Sequence, residues 1–330
     1  MGWIHRYNIK LLYILKFDKK EKIMSQKTAI VFPGQGSQKL GMLKDYYDKF
    51  DTFKNILDDA KNYLGYDLWD IIQNDEIKLS KTEYTQPALL ATSYAIFKVL
   101  KEQKPDLAIS YLAGHSLGEY TALLAAGCIS YKDALILVST RGKLMQSAVT
   151  DKECAMSAVL GLSNEDVVAS CKEASDAGIV EAANFNSTGQ VVISGEKVAV
   201  EKANAIAKEK GAKRAQILAV SVPSHCSLMK DAASKFEKEL NNVEFNAPAT
   251  AVVQNFDAKS HSDLNEIKQA VVKQLYMPVL WTQSVQELAS LGVTEIIECG
   301  PNKVLCGLMK RIDKSLVLKD TNSIESLENI

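Results

Sequence analysis

The chain has 330 residues, of which 47% are hydrophobic and 24% charged, with a formal net charge of −1. This is the balance of a globular protein with one large domain or two, and it excludes the broad positive field that draws proteins to nucleic acid or anionic lipid. No apolar run reaches the roughly 18–20 residues that cross a bilayer, so no membrane partner is expected.

Residues 1–23 mix Lys, Arg and Asp with Trp3, Leu11, Leu12, Tyr13 and Leu15. They lack the cleavage site of a secretory signal and the acid-poor composition of a transit peptide. They read as an N-terminal extension, disordered or mis-started, with the domain beginning near Met24. Strand Thr28–Phe32 then runs into the loop Pro33-Gly34-Gln35-Gly36-Ser37-Gln38. Thr85 and Pro87 read as a cap and a first-turn proline, opening a helix to about Gln103. Leu107–Ala113 is a second buried strand, followed by helices Leu117–Ala126 and, behind the cap Ser130, Tyr131–Ala148.

From Ala155 the texture changes. Strand Ala155–Gly161, a helix capped by Ser163 with Asp166, and strands Val180–Asn184 and Gln190–Ser194 around the turn Asn186-Ser187-Thr188-Gly189 come first. A helix from Glu196 to Gly211 and strand Lys213–Leu218 complete the order βαββαβ, a ferredoxin-like arrangement. The larger pattern resumes with helix Ser227–Leu240, strand Ala251–Gln254 and helices Asp263–Gln274 and Thr282–Ser290. Strand Thr294–Glu298 and helix Asn302–Arg311 follow, and the tail from Asp320 is expected to fray. The fold class is therefore α/β, with a mostly parallel sheet covered on both faces. The expected boundaries are 24–150 and 221–316 for the core, 151–220 for a small ferredoxin-like insert and 317–330 for the tail.

Gly114-His115-Ser116-Leu117-Gly118 fits G-x-S-x-G with a strand before it and a helix after it. Glycines flank such a serine because the turn is too tight for neighbouring Cβ atoms, and the helix N-terminus favours developing negative charge. Ser116 is thus the candidate nucleophile, against a reading as a helix-capping serine. Its hydroxyl needs a base, and the chain has four histidines to consider. His5 lies in the extension and His261 in a polar loop, while His115 adjoins the serine and is expected on the pocket wall. His225, in Ser221-Val222-Pro223-Ser224-His225-Cys226, remains; serine first and histidine late suits an α/β-hydrolase-like sheet. Cys226 invites a Cys–His reading, but sequence neighbours do not readily face each other.

Arg141 lies on the apolar stripe Ala134, Val138, Met145 and Ala148 of its helix. A cation on a buried face needs an anion, either an internal Asp or Glu or a substrate carboxylate held bidentately. The loop at Gln35 lacks the endings of nucleotide-binding loops. It instead supplies a backbone N–H that, with that of Leu117, makes a candidate oxyanion hole. Six cysteines (Cys128, Cys154, Cys171, Cys226, Cys299 and Cys306) form no Cys-x-x-Cys pair, and no histidine stands at metal-ligand spacing. Neither metal nor cofactor is expected, and buried free thiols point to a reducing, cytoplasmic compartment.

The segments Phe32-Pro33-Gly34-Gln35-Gly36-Ser37-Gln38, Gly114-His115-Ser116-Leu117-Gly118-Glu119-Tyr120, Arg141-Gly142 and Ser221-Val222-Pro223-Ser224-His225-Cys226 together resemble the malonyl-CoA:acyl-carrier-protein transacylases of bacterial fatty-acid synthesis. Gln274-Leu275-Tyr276 with Pro278 and Trp281, and Gly300-Pro301 with Lys303-Val304-Leu305, extend the likeness from about Met24 to Arg311. The resemblance implies a hydrolase-like core with a ferredoxin-like insert. It implies Ser116 as nucleophile, His225 as base, Arg141 on the malonyl carboxylate, Gln35 and Leu117 in the oxyanion hole, and the backbone carbonyl of Gln274 orienting His225. It also implies malonyl-CoA as donor, the phosphopantetheine thiol of acyl carrier protein as acceptor, and a malonyl-serine intermediate. Met277, Asn302 and Cys154 depart from the family's usual residues, none at a site position. Ser224 stands where malonyl-selective polyketide domains often carry Phe, which bears on acyl selectivity. A serine thioesterase or esterase for an acidic acyl substrate shares the elbow, and a non-catalytic carrier-binding module is the other class of reading; Arg141 on the pocket wall discriminates against a plain hydrolase.

Overall fold

The computed structural model describes residues 27–149, 152–220 and 222–330. The expected extension 1–23, Met24 and Ser221 lie outside the described residues. In chain order the strands are β1 (Lys27–Phe32), β2 (Ile109–Gly114), β3 (Cys154–Leu160), β4 (Val180–Ser187), β5 (Gln190–Glu196), β6 (Arg214–Ile217), β7 (Ala251–Val253), β8 (Val293–Glu298) and β9 (Val317–Asp320). They form two sheets, of order β7-β2-β1-β8-β9 and β4-β5-β3-β6.

Every pairing in the five-stranded sheet is parallel. Strands buried on both faces read as continuous apolar runs, as Thr-Ala-Ile-Val-Phe of β1 does. Its side chains alternate between two cores: Ile30 and Phe32 enter the larger, Ala29 and Val31 the smaller. Helices Thr82–Gln103, Leu117–Ala125 and Tyr131–Ser147 cover the first face. Helices Trp281–Ser290 and Val304–Ile312 cover the second.

The four-stranded sheet is antiparallel and follows the order βαββαβ. Helices Asn164–Glu173 and Lys197–Glu209 bury one of its faces. Met156, Ala183 and Val192 occupy the other. Met156 and Val192, with Leu218 and Val220 just beyond β6, face the cavity described below. The small sheet thus forms a wall over the end of the large one.

Five features, the C-terminal tail among them, differ from the sequence expectations. Helices Lys44–Lys49, Asp51–Leu64, Leu68–Asn74 and Glu76–Leu79 fill a stretch to which no element was assigned. The helix expected from Thr85 begins at Thr82, which puts Pro87 inside it. Thr85 does not cap that helix, because its buried hydroxyl donates to the Leu79 carbonyl at 2.6 Å. The hairpin turn is tighter than expected, since Asn186 and Ser187 belong to β4.

The C-terminal tail, expected to fray, is instead built in. β9 extends the parallel sheet, pairing Glu295 with Val317 through Glu298 with Asp320. The Tyr46 hydroxyl donates to the Thr321 carbonyl at 2.8 Å. Helix Ile324–Glu328, capped by Ser323, inserts Leu327 into the larger core at 1% exposure. Leu327→Ala should therefore cost about 2 kcal/mol or more in a denaturant titration, whereas a frayed tail would leave the midpoint unmoved.

Candidate active site

β2 turns into helix Leu117–Ala125 at Ser116, whose backbone sits at φ 52 and ψ −107. A positive φ in a non-glycine residue is strained and persists only where its surroundings hold it. Here the glycines admit a very close approach. A Cβ on Gly114 would lie 1.9 Å from the Gly118 carbonyl carbon, and one on Gly118 would lie 2.0 Å from the Phe32 oxygen. Asn255 then braces the turn from both sides. Its Oδ1 accepts the Ser116 N–H at 2.7 Å, and its Nδ2 donates to the Gly114 carbonyl at 2.6 Å.

His225 is the second strained residue, at φ 62, and its N–H donates to the Leu275 carbonyl at 3.0 Å. Nδ1 lies 2.6 Å from the Gln274 carbonyl oxygen, so it carries the proton and donates. That leaves Nε2 as an acceptor, 2.8 Å from Ser116 Oγ. A serine–base hydrogen bond with the base oriented by a third group is the arrangement that activates a hydroxyl. The orienting group here is a backbone carbonyl. Burial, and next the nearby Arg141 cation, push the His225 pKa down to about 3, against the Gln274 hydrogen bond. The ring is neutral at physiological pH, ready to take a proton.

Arg141 is 1% exposed. Its Nη1 donates to Gln86 Oε1 at 2.9 Å and its Nη2 to Gln274 Oε1 at 3.0 Å, and Nη2 also lies 3.4 Å from Ser116 Oγ. Its guanidinium carbon sits 5.2 Å from the Tyr120 ring centre, close enough for a cation–π contact. Among the described residues no carboxylate comes within ion-pair distance of it. The internal ion pair left open by the sequence is therefore absent from this site, and a buried charge is held by neutral acceptors.

Ser116, His225, Arg141, Gln35, Leu117 and His115 all line one cavity of about 520 Å³, within the range of small-ligand sites. Leu117 is the first residue of its helix, so its N–H has no intrahelical partner and is free for a ligand. His115 Nε2 donates to Asn186 Oδ1 at 2.7 Å, and its ring packs edge-on to Trp281. Gln274 does more than the sequence disclosed: besides orienting His225, its side chain meets Arg141, the Ser116 carbonyl and Glu119. Gln86, Glu119, Asn186 and Asn255 were not foreseen as site residues. Glu119 carried a signal, as an acid in an otherwise apolar helix. Cys226 stands apart: its thiol is buried, turned to the Pro223 carbonyl at 3.2 Å and pushed up to about 12 by burial. His261 pairs with Asp257 at 2.8 Å, in the loop after β7, and His5 lies outside the described residues.

Residues 29–326 match the acyl transferase domain family. The chain belongs to that family, among the malonyl CoA-acyl carrier protein transacylases. It is 49% identical to the Haemophilus influenzae malonyl CoA-acyl carrier protein transacylase over 306 residues, 92% of this chain and 98% of that relative. The Escherichia coli transacylase is 48% identical over 295 residues, covering 89% and 95%. An acyl carrier protein S-malonyltransferase from Vibrio cholerae superposes with a TM-score of 0.89 at 48% identity, covering 92% and 99%. A malonyl-transacylase solved in complex with its type II PKS acyl-carrier protein gives 0.90 at 49% identity, covering 92% and 98%. Among the described residues, no helix is long and apolar enough to cross a membrane.

The depressed His225 pKa sets the pH behaviour of this family member. Free histidine titrates near 6.5. Between pH 6.5 and about 3 the unfolded chain takes up a proton that the folded chain refuses, so His225's contribution to stability is full above 6.5 and lost as pH falls through that window. With His225 as the base of Ser116, the second-order rate of acylation, which reports the free protein, should accordingly hold from about pH 8 to pH 5 while stability declines. An inflection in the acylation rate near 6.5, read by stopped-flow, would show an ordinary solvated histidine instead.

Proposed function

We propose that the chain transfers the malonyl group of malonyl-CoA to the phosphopantetheine thiol of acyl carrier protein through an ester on Ser116, supplying malonyl units for fatty-acid chain elongation. The observation that carries this reading is the buried Arg141, held by neutral acceptors 3.4 Å from the serine oxygen. A malonyl ester on Ser116 places its free carboxylate three bonds beyond that oxygen, within reach of the guanidinium fork. The family membership and the solved complex of a related transacylase with a carrier protein support the same acceptor.

In the first half-reaction His225 Nε2 takes the Ser116 proton as Oγ attacks the thioester carbonyl. The N–H groups of Gln35 and Leu117 receive the developing oxyanion, and coenzyme A leaves with the proton returned by His225. The second half runs in reverse from the pantetheine thiol. Throughout, the Gln274 carbonyl keeps the imidazole in the tautomer that the proton transfers need. The coenzyme A thioester enters as substrate, and no cofactor or metal takes part. His115 forms part of the pocket wall. We read the parallel sheet with its helices, residues 24–150 and from 221 onward, as a hydrolase-like core. The order β4-β5-β3-β6 supports reading 151–220 as a ferredoxin-like insert. Six unpaired cysteines support a cytoplasmic setting.

Malonyl-CoA should add one malonyl group to the protein by intact mass, and Ser116→Ala should take none. Labelling of the alanine variant would move the nucleophile elsewhere. Arg141→Ala should lower kcat/KM for malonyl-CoA about ten-fold to a few thousand-fold, given the worth of a charge-assisted pair and the cost of a stranded buried charge. Acetyl-CoA, which lacks the carboxylate, should lose far less. Arg141→Lys should rescue only in part, since an ammonium lacks the planar fork. An equal loss for both substrates would reduce Arg141 to a structural role.

A further inference from the structure

Glu119 is fully buried, one residue past the elbow, and among the described residues no cation lies within ion-pair distance of it. Its Oε2 accepts the Asn255 N–H at 2.7 Å and Gln274 Nε2 at 3.1 Å, and its Oε1 accepts Gln254 Nε2 at 3.2 Å. Burial raises its pKa, while these three donors and the field of Arg141 oppose the rise. A carboxylate is an acceptor only, and three N–H groups converge on this one. A carboxamide such as Gln274 has two chemically opposite ends, and which end faces Arg141 decides whether the pair attracts or repels. The Glu119 oxygen and the Ser116 carbonyl at 2.8 Å both require the NH2 end, so the Oε1 end is left for Arg141 Nη2 at 3.0 Å.

We propose that Glu119 is a positioning residue for carboxylate selectivity: it locks the Gln274 amide so that its oxygen aims Arg141 at the substrate carboxylate. Through Asn255 the same carboxylate also backs the residue that braces the elbow. Both links leave Glu119 out of contact with substrate, because it acts through Gln274 and Asn255. In Glu119→Gln the side chain is isosteric but can itself present NH2 to Gln274. The NH2 end of Gln274 is then held by the Ser116 carbonyl without the Glu119 carboxylate, and the aim of the guanidinium loosens.

The proposal rests on the malonyl reading above, and the test separates the two. It measures the ratio of kcat/KM for malonyl-CoA to that for acetyl-CoA in the full chain, for Glu119→Gln and Glu119→Asp, each alone and on an Arg141→Ala background. Glu119→Asp keeps the charge while shortening the reach, and serves where the glutamine variant lacks a native melting profile. The ratio should fall about ten-fold in the single variants, and should not fall further once Arg141 is gone. A role in packing alone would lower both substrates together. An unchanged ratio in a folded variant, or a fall of the same size without Arg141, overturns the proposal. If Arg141→Ala alone leaves the ratio at its wild-type value, the malonyl reading itself fails, whatever Glu119 does.

Discussion

The site is organised around two buried charges of opposite sign that do not touch, Arg141 and Glu119, joined through the Gln274 amide. Taking a guanidinium out of water is costly unless it is paired, and Arg141 is met by the side-chain oxygens of Gln86 and Gln274 and the face of Tyr120 instead of a carboxylate. Neutral acceptors hold the fork in place without discharging it. An acidic acyl group entering from the cavity would complete the pair, which is the basis of the function proposed for Arg141. This explains the crowding of uncharged polar groups: Gln86, Gln254, Gln274 and Asn255 are all buried, and each holds another group in one orientation.

The same cation tunes the base. Arg141 lowers the proton affinity of His225, second only to burial, so the resting histidine is neutral and accepts the serine proton without first losing one. A carboxylate seated on Arg141 offsets that field and makes the imidazolium easier to form. On the proposed reading, recognition of the acid and activation of the serine are linked through one residue. Backbone strain has a comparable role, since Ser116 and His225 both sit at positive φ. Each is held there by a fixed acceptor, Asn255 Oδ1 or the Leu275 carbonyl. Together they bring hydroxyl and imidazole to 2.8 Å.

The parts of this site that were legible in the sequence were those with a steric or electrostatic signature. Gly114 and Gly118 announce the elbow because a Cβ at either would overlap backbone. Arg141 stands out because a cation on an apolar stripe demands an explanation. Ser116 and His225 follow from the need for a base and the few histidines present, and the role of the Gln274 carbonyl came only through resemblance. Gln86 and Asn255 were invisible because a neutral amide has no preferred partner until the fold supplies one. Among the helices between Lys44 and Leu79, Asp51–Leu64 carries an apolar i, i+4, i+7 period in Phe53, Leu57 and Ala60 that the sequence reading passed over, whereas Lys44–Lys49, Leu68–Asn74 and Glu76–Leu79 are too short to show one. The tail misled for a related reason: β9 is short and partly exposed, and its order comes from pairing with β8 and from Leu327.

Whether Arg141 is the seat of the acyl carboxylate is decided by a structure of the protein after brief exposure to malonyl-CoA, with the ester trapped on Ser116. The free carboxylate should sit on the guanidinium, with oxygens at ~2.7–2.9 Å from its nitrogens and Gln86 and Gln274 unmoved. A malonyl chain pointing to solvent, with Arg141 turned to Glu119 instead, would contradict it.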